Sequence, residues 1–114
     1  MQGTGSDRHG AVPLARPGRP AVVAATLDEL TGPEHGVVEL PQRLMWNPDR
    51  SFDLDRPAEL RWMYENVLRE AIRTEELRRW LNARVLVRIW RDLNLPRGVR
   101  RAWEHRYSEL RPAA

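Results

Sequence analysis

Apolar residues recur at steps of three and four between Pro57 and Ala71: Leu60, Met63, Tyr64, Val67, Leu68 and Ala71. That spacing places them on one face of a helix, and Pro57 suits its first position because its missing N–H would be unpaired there anyway. Leu77, Trp80 and Leu81 mark a second, short helix. Thr74 is suited to cap it, and Glu75 and Glu76 favour the positive end of its dipole. After Asn82 a third helix carries Leu86, Ile89, Trp90 and Leu93 on one stripe, with Arg84, Arg88 and Arg91 away from it. "NLP" ends this helix, because Pro96 biases the residue before it away from helical torsions. A fourth helix, from about Arg97 to Leu110, turns Val99, Ala102, Trp103 and Leu110 inward.

Ahead of Pro57 the periodicity fades. "LDELTGPEHGVVELPQRLMW" reads as a short segment, a Gly-Pro turn at 32–33 and an extended "GVVELP" stopped by Pro41. "NPDRSFDLDRP" at 47–57 is rich in Asx and Pro turn formers and reads as loop. Residues 1–20 hold four Gly and three Pro with almost nothing to bury, the composition of a disordered tail. The expected fold is mainly α: a small domain of about four short helices over residues 57–111, preceded by a disordered tail (1–20) and an extended arm and loop (21–56), with no internal repeat.

A foldable part of this size has only a marginal core unless large side chains help. Five tryptophans (Trp46, Trp62, Trp80, Trp90, Trp103) supply that help, since each ring removes on the order of 200 Å² from water. All 19 basic residues are arginine, a bias that points to a GC-rich coding genome and lowers the weight of any single one. With 16 carboxylates interleaved the net charge is only +3, so nucleic acid is permitted as a partner without being demanded. The sign is unevenly placed. Residues 21–46 run at −3 (Asp28, Glu29, Glu34 and Glu39 against Arg43), whereas residues 97–114 run at +3, so the arm is suited to lie against the last helix. The absence of cysteine fits a reducing cytoplasm, the expected location. The longest apolar run, "AVVAA", is far too short to span a bilayer, and no signal-peptide pattern opens the chain.

Catalysis has the strictest requirements and finds none of them met. His9, His35 and His105 lack metal-ligand spacing, and there is no Gly-rich phosphate loop, nucleophile elbow or convincing carboxylate pair. The expectation is a protein that is not an enzyme and carries no cofactor. Helix three, the "NLP" break and helix four have the lengths of a helix-turn-helix. On a helical wheel Arg97, Arg101, Glu104 and Ser108 face outward, and Glu104 in the middle would repel phosphates. Arg97 and Arg101 are the residues a DNA-binding regulator would use. Trp62 is more telling, because it lies opposite the apolar face of helix one, beside Asn66, Arg69 and Arg73. Either the segment with Val37, Val38, Leu40 or Trp46 folds back to cover it, or it is an anchor for a protein partner, with Asn66, Arg69 and Arg73 around it. Arginine beside tryptophan is an enriched composition of binding hot spots.

The strings "GVVELP", "RWMYENVLREA", "LNARVLVRIWRDLNLP" and "RGVRRAWEHRYSEL", in that order over about residues 27–111, resemble small actinobacterial proteins encoded beside abortive-infection type nucleotidyltransferase toxins. The resemblance implies an antitoxin or accessory partner that binds a nucleotidyltransferase-type toxin, with autoregulatory DNA binding as a second role. The larger antitoxins of such systems carry a winged-helix domain, which this chain is too short and too poor in strands to display. The resemblance therefore favours direct protein–protein binding over repression, and it transfers no functional residue.

Overall fold

Helix α1 runs from Pro57 to Glu70 in a computed structural model that describes residues 14–16 and 19–112. Proline opens it as expected, and Leu60, Met63, Tyr64, Val67 and Leu68 are buried along one face. It ends where Ala71 adopts extended torsions while its N–H still bonds the Val67 carbonyl. Helix α2 (Thr74–Trp80), helix α3 (Ala83–Ile89) with a 3-10 turn at Trp90–Asp92, and helix α4 (Arg97–Arg106) with a 3-10 turn at Ser108–Leu110 complete a small, mainly α domain.

Two of these helix ends differ from the sequence reading. Thr74 is the first residue of α2, not its cap, and its hydroxyl accepts from Arg78 at 3.2 Å. The orphan donors go instead to Glu76, whose carboxylate accepts from Ile72 N–H at 2.9 Å and Arg73 N–H at 3.2 Å. A carboxylate at N3 both satisfies those groups and complements the dipole. Helix α4 stops at Arg106, short of Leu110, because Tyr107 turns its ring into the core and donates its hydroxyl to the Ala24 carbonyl. Asn82 caps α3, its side-chain oxygen accepting from Arg84 N–H (3.0 Å) and Val85 N–H (3.3 Å).

Among the described residues four short strands accompany the helices. Strand β1 (Leu14–Arg16) pairs antiparallel with β2 (Arg19–Pro20), and β3 (Val37–Glu39) pairs antiparallel with β4 (Ser51–Asp53), Val38 opposite Phe52. The tail expected over residues 1–20 lies mostly outside the described residues. Strand β3 lies within the extended "GVVELP" segment, whereas β4 falls inside the stretch expected to be loop. Phe52 accounts for that difference: extended backbone lets it point down and become buried while Ser51 points out.

The arm and the helices share one core. Ala24, Leu30, Leu40, Leu44, Met45, Phe52 and Leu54 join the apolar faces of α1 to α4 in a single buried cluster. Backbone bonds seat the arm across the α2–α3 junction: Gly32 N–H donates to the Leu81 carbonyl (2.8 Å) and Ala83 N–H to the Leu30 carbonyl (2.9 Å). Asn82 N–H is taken by the Tyr64 hydroxyl at 2.9 Å. The arm also lies along α4, as its opposite charge suggested, but the contacts are of another kind. Arg106 and Tyr107 donate to the carbonyls of Ala25 and Ala24, while Glu29 pairs with Arg78 of α2 at 3.3 Å. Beneath α4 a row of rings runs Trp90, Trp103, Tyr107 with centroids 6.2 and 5.9 Å apart. Among the described residues no helix is long and apolar enough to cross a membrane.

Candidate partner-binding surface

The turn after β3 builds one wall of a cleft. Pro41's carbonyl accepts from both Leu44 and Met45 N–H, which closes a tight turn and drives those two side chains into the core. Arg43 pins the same turn from outside, donating to both carboxylate oxygens of Glu76 at 2.7 and 2.6 Å and to the Glu70 carbonyl at 3.0 Å. Arg50 closes the far end by donating to the Leu40 carbonyl at 3.0 Å. Between these anchors Trp46 is left 83% exposed. A ring of that area held in water by an ordered loop is the unusual feature of this surface.

The opposite wall is the outward side of α1. Trp62 is 47% exposed, with Phe52 of β4 set edge-on against it at 5.5 Å and 86°. Phe52, from the stretch expected to be loop, packs against Trp62 and leaves it half-exposed. Asn66 is only 4% exposed, its amide donating to the Trp62 carbonyl (2.9 Å) and accepting from Arg69 (2.9 Å). It lines the floor of the cleft and holds Arg69 in place. Arg69 also reaches Glu70 at 3.2 Å. Arg43, Leu44, Trp46, Trp62, Asn66 and Arg69 thus line one cleft of about 550 Å³. Arg73 stands apart from it, on the α1–α2 connection beside Glu75 at 3.7 Å. Trp46 and Arg43 had no signal as site residues in the sequence, since neither belongs to a periodic segment.

The second surface is the outside of α4. Arg97, Arg101 and His105 are exposed there, but Glu104 is not among them as the wheel implied. Its carboxylate turns back to accept from the Trp90 indole N–H at 2.9 Å and from Arg100 at 3.3 Å. A buried indole N–H needs an acceptor, and Glu104 is the one within reach.

The groups with shifted titration are structural. Burial pushes the Tyr64 hydroxyl up to about 12, against the opposing bond from Asn82 N–H. Burial also raises Glu76, but the Ile72 N–H, the Arg43 guanidinium and the Arg73 N–H outweigh it and hold the carboxyl below its usual range. Asp55 is held low by His35, 3.0 Å away, and by Gly36 N–H. Among the described residues no group of three or more His, Asp or Glu side chains stands where it would hold a metal ion. Comparison with protein-family models, curated proteins and solved structures finds no match to this chain.

Proposed function

We propose that this chain is a non-catalytic interaction protein that grips another protein through the Trp46–Trp62 cleft. The observation that carries the reading is Trp46: a loop anchored by Arg43, Leu44, Met45 and Arg50 presents its indole 83% exposed. Nothing in the fold benefits from that exposure, whereas a rigid aromatic beside arginine is what dominates the centre of protein interfaces. Arg43 and Arg69 at the rim are already paired with Glu76 and Glu70, so the fitting partner segment is mainly apolar. The sequence resemblance nominates a nucleotidyltransferase-type toxin as that partner, which the chain would neutralise as an antitoxin by occluding its substrate access. Coexpression with such a toxin tests the reading. A stable complex that is lost in Trp46→Ala while helicity is retained supports it; wild-type protein that forms no complex at micromolar concentration contradicts it.

A further inference from the structure

Arg43, Arg50, Arg56, Arg69, Arg73, Arg78 and Arg100 each stand beside a carboxylate, and Arg79 lies over the Trp80 ring. Of the arginines without a carboxylate, three gather around the outside of α4. Arg91, Arg97 and Arg101 are exposed and, among the described residues, have no carboxylate or carbonyl within bonding distance. Arg100 and Arg111 lie between them, lining two adjoining surface hollows with Arg91 on one side and Arg97 and Arg101 on the other. Those two are committed to backbone carbonyls, Arg100 to Leu93 and Arg111 to Glu104 (2.7 Å) and His105 (3.0 Å), so their charge is fixed in place. Of the two carboxylates that line these hollows, Glu104 is drawn inward by Trp90 and shared with Arg100, while Glu109 lines only the one with Arg91. Three free guanidinium groups around two immobilised ones form a local excess of positive charge on a chain whose net charge is only +3.

We propose that this face, the outside of α4 with Arg91 beside it, binds the phosphodiester backbone of nucleic acid. Arg97 and Arg101 are four apart on one helix, hence neighbours on its surface, and planar guanidinium forks match phosphate oxygens. The exposed side chains of α4 include no Asn or Gln to read adenine, and the arm brings Asp28 alongside Arg101. The contact proposed is with phosphates, which carry no base sequence information themselves. It uses a different face from the tryptophan cleft, so either site stands without the other.

Fluorescence anisotropy of the full chain with labelled duplex DNA and with single-stranded RNA of unrelated sequences tests this. Three phosphate contacts on duplex DNA give a slope of about −2.7 in log K against log salt, roughly a 40-fold loss between 50 and 200 mM. Arg97→Gln with Arg101→Gln should bring the slope to about −0.9, and Trp46→Ala should leave it unchanged. No binding to either nucleic acid at about 100 μM protein in low salt overturns the proposal without touching the partner cleft. So does an unaltered slope in the double variant, or tighter binding to phosphatidylserine vesicles than to either nucleic acid. The wild-type slope is itself a test that depends on no variant.

Discussion

Gly32→Ala probes the seat of the arm on the helices. A Cβ at this position would lie 2.6 Å from the Trp80 carbonyl carbon and 2.9 Å from both the Arg79 oxygen and the Leu81 nitrogen. All three are backbone atoms at the end of α2, so no rotamer change relieves the clash and the arm itself must retreat. Overpacking of this kind costs about 1–3 kcal/mol. Retreat also stretches the Gly32–Leu81 bond, now 2.8 Å, and the Asn82 side-chain bond to the Gly32 carbonyl, now 3.2 Å, at about 1 kcal/mol each. The expected total is about 3–5 kcal/mol, or a Tm lowered by roughly 12–40 °C in a domain of this size. Urea unfolding followed by far-UV circular dichroism measures it, with an unchanged m-value confirming that the transition is the same one. Gly36→Ala is the control, since that glycine has φ +84° but open space around it, and its cost is the left-handed strain of about 1–2 kcal/mol. A Gly32→Ala protein within about 0.5 kcal/mol of wild type would refute the docking of the arm, and with it the placement of the Trp46 loop.

The two cleft tryptophans should separate in stability. Trp46→Ala loses at most about 1 kcal/mol because so little of its ring is buried, while Trp62→Ala, half-buried on Phe52, loses about 3 kcal/mol in the same urea experiment. Trp90→Phe should be the more destabilising of the core substitutions by about 2 kcal/mol. It removes the bond to Glu104, whereas the Trp103 indole N–H is buried with no partner and Trp103→Phe relieves that penalty. In acid, Glu76 should contribute a specific loss. Its folded pKa lies below the usual 4.5, so its stabilisation is complete above that value and disappears as pH falls through the lower folded one. Stability measured from pH 6 down to pH 3 should therefore fall less steeply in Glu76→Gln than in wild type, and parallel curves would count against the Arg43–Glu76 clasp.

Much of the helical architecture was legible because period and punctuation agreed. Pro57 and Asn82 mark helix starts, and the three- and four-residue steps name the buried face of α1. What local pattern missed depends on distant partners. Strand β4 exists because Phe52 is covered by α1 and its backbone pairs with β3, neither of which the Asx-rich loop composition encodes. Tyr107 leaves α4 for a carbonyl at residue 24, and Glu104 turns inward for an indole on another element. The outward position of Trp62 follows from periodicity, and so does its proximity to Asn66 and Arg69. The other half of the cleft does not. Trp46 sits in a turn whose shape is set by Arg43 reaching to Glu76, and no spacing within the turn announces that contact.

Calorimetric titration of a nucleotidyltransferase-type toxin, the partner proposed above, with wild type and with Trp46→Ala tests the central claim most directly. The account expects the variant to bind about 30-fold more weakly or worse, the scale of a hot-spot residue, at an unchanged urea midpoint. Equal affinity of the two proteins would contradict it.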